Sequence, residues 1–85
     1  MIDFDAPETV WEQLYAILRE RIETGVYPEQ RIIPSITQLE QEFSVARGTV
    51  RKVRDKLADE GFLRPVSGRG TFVRPRNEWG AQVDE

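Results

Sequence analysis

Residues 35–61 read SITQLEQEFSVARGTVRKVRDKLADEG, and the helix signals in this segment identify the type of fold. Its opening serine is followed three residues later by Gln38, the spacing of a capping box, which predicts a helix over 36–43. A tight turn follows, and a second helix is predicted over 47–60, ended by Gly61. Two helices joined by a turn of a few residues are the pattern of a helix-turn-helix.

The helix predicted over 47–60 has two distinct sides. At about 100° per residue, apolar side chains at offsets of three and seven fall together, and we expect these to be buried: Val50, Val53 and Leu57. The opposite side, which we expect to be exposed, carries Gly48, Arg51, Lys52 and Asp55. Because Asp55 follows Arg51 by four residues, we expect these two side chains to pair on the helix surface.

An amphipathic helix is predicted upstream of this unit, because apolar residues recur there at spacings of three and four. Asp5 and Glu8 are spaced as a capping box with Pro7 in the permissive first turn, and a glycine at position 25 ends the helix. Trp11 and Tyr15 border the apolar stripe, and we interpret them as core residues and not as a recognition surface.

Two short strands are predicted downstream, over 62–66 and 71–74, and the glycine-rich turn 67–70 joins them. Ile32-Ile33 adds no more than a brief edge strand. The predicted fold class is therefore mainly α with a small β-hairpin wing. It is a winged helix-turn-helix of three helices and a two- or three-stranded antiparallel sheet.

Eighty-five residues accommodate one small domain, which we place at 1–74, followed by a polar and flexible tail at 75–85. Trp79 in that tail packs back on the domain, docks a partner or stays disordered. The chain has no Cys and no His, which excludes disulfides, thiolate metal sites and imidazole catalysis. Its carboxylates stand at no catalytic spacing, so we expect no enzyme activity, no cofactor and no metal. Apolar runs of two or three residues predict no membrane span.

The net charge of −3 conceals a division along the chain. Residues 1–43 carry three basic and nine acidic side chains, whereas residues 44–76 carry nine basic and three acidic ones. Because salt screens charges beyond about 8–10 Å, the basic segment can approach a polyanion despite the negative total. Phosphate contact and plain solvation are equally consistent with the sequence for four of these cations: Lys52, Lys56, Arg64 and Arg74.

The second helix of the helix-turn-helix carries the residues suited to reading a major groove. Arg51 and Lys52 lie on its exposed side and Arg47 at its start, and a guanidinium can donate to guanine O6 and N7 together. Gly48 removes a side chain where the helix start would approach a nucleic-acid backbone, and Thr49 adds a hydroxyl.

The hairpin tip carries one arginine between two glycines, at Gly68, Arg69 and Gly70. Glycine allows unusual backbone angles and close approach, so such a tip is slim enough to enter a minor groove. The sequence therefore predicts binding to double-stranded DNA, with one helix in the major groove and the wing at the minor groove.

Residues 10–73 resemble the N-terminal DNA-binding domain of the GntR family of bacterial transcription regulators. The resemblance rests on five segments in the family's order: Pro34-Ser35, Leu39, Val45-Ala46-Arg47-Gly48-Thr49-Val50-Arg51, Leu57-Ala58-Asp59-Glu60-Gly61-Phe62 and Gly68-Arg69-Gly70-Thr71-Phe72-Val73. It implies major-groove reading by Arg47, Thr49 and Arg51, and minor-groove or phosphate contact by Gly68, Arg69 and Gly70. The predicted DNA-binding set also includes Ser35, Thr37, Gly48 and Lys52.

Four positions depart from the family's usual residues. Thr37 stands where an arginine usually contacts DNA, so that contact is weakened or lost. Ala46 replaces the serine that caps the recognition helix, which costs about 0.5–2 kcal/mol of helix stability. Gly48 replaces a threonine. Arg54 replaces a leucine at the core edge, and its guanidinium either reaches a DNA phosphate or pairs with an acidic group.

Regulators of this family normally continue into a C-terminal domain that binds a small effector and dimerises, whereas this sequence stops soon after the wing. It is interpreted as an excised domain or as a small stand-alone regulator, with no small-molecule effector bound by this chain. We expect it in the cytoplasm at the nucleoid, acting at a promoter by occlusion, as a repressor does, or by recruitment. Tight binding to an operator is expected to need two copies, as a homodimer on the DNA.

A different class of function is kept as the alternative. Winged helices also serve as protein–protein interaction modules, here acting on another regulator or on a replication or cell-cycle factor. The acidic N-terminal helix and Trp79 would supply the surface. The arginines at 47, 51 and 69 favour DNA, because a purely protein-binding domain has little reason to keep them.

Overall fold

The computed structural model of the protein describes residues 2–80. Its elements follow the predicted order: α1 (Val10–Glu23), α2 (Ile36–Phe43), α3 (Arg47–Asp59), β1 (Leu63–Val66), β2 (Gly70–Val73) and a short 3-10 helix (Arg76–Glu78). The two strands form one antiparallel sheet. The predicted winged helix-turn-helix is confirmed. Within residues 2–80, no helix has the length and apolar character needed to cross a membrane.

The start of α1 differs from the prediction. Thr9, and not Asp5, is the N-cap: its hydroxyl accepts the Glu12 amide at 3.0 Å, and the Glu12 carboxylate accepts the Thr9 amide at 2.9 Å. Gln13 holds the preceding backbone outside the helix, because its side chain accepts the Asp3 N–H and donates to the Asp3 carbonyl, both at 2.8 Å. The predicted first turn therefore lies before the helix.

The helix-turn-helix follows the sequence signals closely. The Ser35 hydroxyl accepts the Gln38 amide at 3.1 Å and the Gln38 side chain accepts the Ser35 amide at 2.8 Å, which is the predicted capping box of α2. Ser44, at a left-handed φ of 56°, turns the chain toward α3. α3 ends at Asp59, one residue earlier than predicted, and Gly61 has the positive φ of 87° typical of a residue after a helix end.

The core lies between α1, α3 and the sheet. The predicted inner side of α3 is fully buried, at Val50, Val53 and Leu57, and packs with the buried side chains of α1, Leu14, Leu18 and Ile22. Trp11 and Tyr15 are half-buried, stack on each other with ring centroids 5.7 Å apart and pack against this core. Their interpretation as core residues is confirmed.

The wing is joined to the chain just before α2. Ile32 forms a β-bridge with Phe72, and the Ile33 amide donates to the Thr71 carbonyl at 2.9 Å. The Val73 amide donates to the Arg31 carbonyl at 3.0 Å. The expected edge strand is thus a single bridge with flanking hydrogen bonds, and it ties β2 to the backbone that leads into the α2 N-cap.

Residues 75–80, assigned from the sequence to the tail, pack on the domain. The Trp79 ring lies 5.5 Å from the Phe62 ring, and its indole N–H donates to the Arg74 carbonyl at 2.8 Å. The Gly80 amide donates to the Glu60 carbonyl at 2.7 Å. The segment contains the short 3-10 helix and is held on the domain by one aromatic ring and these hydrogen bonds. The rest of the predicted tail, 81–85, lies outside the described residues.

Candidate nucleic-acid interface

The basic side chains divide into two groups by their ion pairs. Seven of them pair with an acidic side chain: Arg19, Arg21, Arg47, Arg54, Lys56, Arg74 and Arg76. The five without an ion pair inside residues 2–80 are Arg31, Arg51, Lys52, Arg64 and Arg69. Three of those five belong to the predicted DNA-binding set. Cations that are not neutralised within the domain are available to a polyanion.

The outer side of α3 is exposed as predicted, at Gly48, Arg51, Lys52 and Asp55. Lys52 is held over the aromatic face of Trp11, with its ammonium 5.1 Å from the ring centroid. Thr49 is half-buried, so its hydroxyl is less accessible than the sequence suggested. Arg51 is exposed and, within residues 2–80, has neither an ion pair nor an aromatic contact.

The expected pair between Arg51 and Asp55 is wrong. Asp55 accepts instead from its neighbour Arg54, at 3.2 Å from Nε and 3.0 Å from Nη2. The Arg54 side chain is 25% exposed, so its stem covers the core edge while its head reaches the carboxylate. This contact answers the alternative left open for Arg54, and it leaves the Arg51 guanidinium without an acidic partner in the described part of the chain.

A groove of about 400 Å³ runs between α2, the start of α3 and the wing. It brings together four residues of the predicted set, Ser35, Thr37, Arg47 and Gly70. Arg54 also lines it and continues into the concavity under the hairpin tip. Arg54 was missing from the predicted set, although its position seven residues after Arg47 places both on one flank of the helix.

The other flank of α3 faces α1. A shallow concavity of about 440 Å³ is lined there by Trp11, Gly48, Arg51, Lys52, Asp55, Lys56 and Asp59. The structure therefore places the predicted helix residues on two flanks. Arg47 faces the wing, whereas Gly48, Arg51 and Lys52 continue toward α1. A surface that spans both flanks suits a helix lying along a DNA groove, because the phosphate backbones of the two DNA strands would then face its two flanks.

The wing tip has the geometry that its glycines predict. Gly68 and Gly70 have φ of 77° and 118°, and Arg69 between them is exposed. Gly70 has a second role, because a Cβ there would lie 2.5 Å from Cδ1 of Ile32. Ile32 is 55% exposed and lines the groove, so an apolar side chain, overlooked in the sequence, packs on the wing beside the predicted contact residues.

Arg21 holds α2 against α1 and so positions the helix-turn-helix. Its guanidinium donates to Glu42 at 2.7 Å and to the Tyr27 hydroxyl at 2.8 Å, and lies 5.0 Å from the centre of the Phe43 ring. The hydrogen bond to Glu42 raises the pKa of Arg21 above its usual range. Burial raises the pKa of Tyr27, although the contact with Arg21 acts in the opposite direction.

A three-helix unit with an exposed basic helix and a slim basic wing defines the winged helix-turn-helix class of DNA-binding domains. Residues 11–73 match the family model described as "Bacterial regulatory proteins, gntR family". The chain belongs to this family, and it is a GntR-type transcription-regulator DNA-binding domain. The family consists of regulators, which agrees with the expectation that the chain is not an enzyme.

Two curated relatives share the domain but are much longer. An uncharacterised HTH-type regulator of Rhizobium meliloti is 38% identical over 68 residues, which cover 80% of this chain and 28% of the relative. The transcriptional repressor NagR of Bacillus subtilis is 32% identical over 82 residues, 95% of this chain and 34% of the relative. The chain thus spans about a third or less of these relatives.

Solved structures show the same architecture. The AraR DNA-binding domain in complex with operator ORR3 aligns with a TM-score of 0.76 at 30% identity, over 86% of this chain and 88% of that one. YtrA of Sulfolobus acidocaldarius, a GntR-family transcription factor, aligns with a TM-score of 0.79 at 29% identity, over 89% and 80% of the two chains.

Proposed function

We propose that the domain binds a double-stranded DNA operator sequence-specifically, with α3 in the major groove and the wing tip at the minor groove. The observation that carries this proposal is the placement of two cations without an ion pair in the described chain, Arg51 on α3 and Arg69 at the wing tip. The likeness to the AraR domain, which was solved with its operator, supports the same use of this surface.

In the proposed complex, Arg51 and Arg47 donate to base edges, since a guanidinium forks onto the two acceptors of guanine. Thr49 contributes a weaker contact, because it is half-buried. Gly48 lets a phosphate approach the start of α3, where a Cβ would meet nothing within 4 Å in the described chain beyond its chain neighbours and the adjoining helix backbone. Lys52 contacts the backbone of the DNA strand that lies on the α1 flank of α3.

The flank of α3 that faces the wing would contact the other DNA strand. Ser35 and Thr37 at the start of α2 offer hydroxyls to a phosphate, and Arg54 lies between them and the wing. Arg69 enters the minor groove, while Gly68 and Gly70 keep the tip thin. Each domain then covers about one half-site, so we expect two copies on an operator.

The proposed regulator acts as a repressor in the cytoplasm, at the nucleoid, and this chain binds no small-molecule effector. The relatives NagR and the histidine utilization repressor of Klebsiella aerogenes are both named as repressors, which supports this direction. The protein-interaction alternative is weakened, because Trp79 is already packed on Phe62 within the domain.

The proposal is tested by selection from a randomised duplex pool, followed by titration of the enriched and a scrambled duplex. Arg51→Ala should cost about 1–3 kcal/mol and relax the preference at one base pair, because a bidentate base contact is lost. Lys52→Ala, on the same helix and proposed to contact the DNA backbone, should weaken all sequences alike. Equal losses on every sequence for both variants would exclude Arg51 as a base reader, and no enrichment at all would redirect the search to protein partners.

A further inference from the structure

One ion pair of the domain involves a residue of the predicted DNA-binding set. Arg47, the first residue of α3, lies with Nη1 3.5 Å from Oε1 of Glu40 on α2. The Arg47 side chain is 56% exposed, whereas that of Glu40 is 27% exposed. Arg47 lines the groove between the helices and the wing, and Glu40 does not. A half-buried carboxylate thus contacts an exposed guanidinium at the proposed interface.

We infer that Glu40 is a positioning residue that makes Arg47 select base edges over phosphates. This inference rests on the proposed function. An arginine has five N–H donors, so one contact to Glu40 restricts the guanidinium and still leaves a fork for DNA. Gly48 and Ala46 beside Arg47 have no side chain that could restrict it in this way.

The charge of Glu40 acts differently on the two kinds of DNA acceptor. A phosphate carries a full negative charge, which the carboxylate repels at distances well inside the screening length. The O6 and N7 atoms of guanine are neutral acceptors, for which the repulsion is smaller. Glu40 therefore weakens non-specific attraction at Arg47 more than it weakens base reading, and the ratio of specific to non-specific affinity rises.

The test uses the whole 85-residue chain, the selected operator duplex and a scrambled duplex, each titrated at several salt concentrations. Glu40→Gln keeps a good helix former and removes the charge. We expect it to bind the scrambled duplex about three- to tenfold more tightly, and to lose about fivefold in the affinity ratio. The salt slope on the scrambled duplex should steepen by about 0.9, because Arg47 gains a phosphate.

Glu23→Gln is the matched control. Glu23 also pairs with an arginine, Arg19 at 3.1 Å, but on α1, so its loss changes the net charge equally away from the interface. It should change both affinities by the same factor, less than about twofold, and leave the slope unaltered. Thermal melting of each variant shows whether the fold is retained.

The double variant Arg47→Ala/Glu40→Gln shows whether Glu40 affects DNA binding through Arg47 or by a contact of its own. If Glu40 acts through Arg47, its replacement changes neither ratio nor slope once Arg47 is absent. A persistent change would show that Glu40 contacts DNA itself and would overturn the inference, as would Glu40→Gln behaving like Glu23→Gln. If the wild type prefers no sequence, the proposed function fails. The slopes on the scrambled duplex then still decide whether Glu40 restrains Arg47.

Discussion

The two ends of α3 are built in opposite ways. At its start, Ala46 has no side chain that could cap the helix, and Gly48 leaves the surface open. At its end, Glu60 accepts from the Tyr15 hydroxyl, and its backbone carbonyl accepts from the Gly80 amide. The first end faces the proposed DNA surface, and the second is held by α1 and by the segment after the wing.

The stabilising contacts of α3 are therefore concentrated at its end, and its start has few of them. α1 and α2 both begin with a complete capping box, so the open start of α3 is a property of one helix and not of the fold. The Thr49 N–H donates to the Ala46 carbonyl at 3.0 Å, and within residues 2–80 the N–H groups of Arg47 and Gly48 are left for an anion such as a phosphate. The closed end keeps the helix in place, and the open end lies at the surface proposed to bind DNA.

The largest effect is expected from breaking the closed end with Gly61→Ala. Gly61 has a φ of 87°, and a Cβ there would collide with the carbonyl oxygen of Glu78. Gly25 has the same φ, and apart from its two chain neighbours no atom of residues 2–80 would lie within 4 Å of a Cβ, so Gly25→Ala isolates the backbone strain. We expect about 1–2 kcal/mol for Gly25→Ala and about 1–3 kcal/mol more for Gly61→Ala, measured by urea unfolding. Equal losses would mean that residues 78–80 are not held there.

The next effect concerns the missing cap. Ala46→Ser should stabilise the domain by about 0.5–2 kcal/mol, because a serine hydroxyl can accept an N–H of the first turn of α3. Ser35→Ala, which removes the cap of α2, should cost a similar amount. Thermal melting of both variants measures the two changes in stability. If Ala46→Ser brings no gain, the two helix starts differ in more than their capping residue.

A smaller gain in stability is expected at Gly48. Alanine there should stabilise the helix by about 0.5–1 kcal/mol, since it meets no neighbour in the described structure. The same methyl group should weaken binding to the selected operator, because in the proposed complex the start of α3 approaches the DNA backbone. For Gly48→Ala, we therefore expect melting to show a higher stability and DNA titration to show a lower affinity. Unchanged affinity would show that DNA does not come close at this position.

The smallest effect is a pH dependence at the closed end. Burial, with the hydrogen bond to Glu60, raises the pKa of Tyr15. The unfolded chain ionises this phenol near pH 10, so its contribution to stability is complete below that pH and is lost as the pH rises toward the folded pKa. Tyr15→Phe should therefore flatten the fall of the urea midpoint above about pH 10. An identical fall in both proteins would contradict the shift.

Helix positions were the most predictable part of the fold. The capping box at Ser35 and the stop at Gly61 are local signals, and α2 and α3 follow them to within one residue. The start of α1 was predicted wrongly, because Asp5 and Thr9 are each followed three residues later by a glutamate, and both therefore have the spacing of a capping box. The choice between them depends on Gln13, whose contact with Asp3 no local rule contains.

The sequence predicted which cations of the candidate site are exposed, but it did not predict the acidic residues with which the basic residues of α3 pair. Arg51, Lys52 and Arg69 are exposed and without an ion pair inside residues 2–80, as their positions suggested. Asp55 pairs with Arg54 and not with Arg51. Both arginines lie within reach of Asp55 along the helix, and burial of the Arg54 stem at the core edge decides between them.

By itself, the sequence determined the family, the order of the elements and which cations face outward, since these depend on periodicity, capping and glycine positions. The tertiary structure alone decided the contacts between distant segments. Ile32 packs on Gly70, Glu40 on Arg47, and residues 78–80 on the end of α3. Such contacts depend on how whole elements pack in three dimensions, and no local rule of spacing encodes that packing.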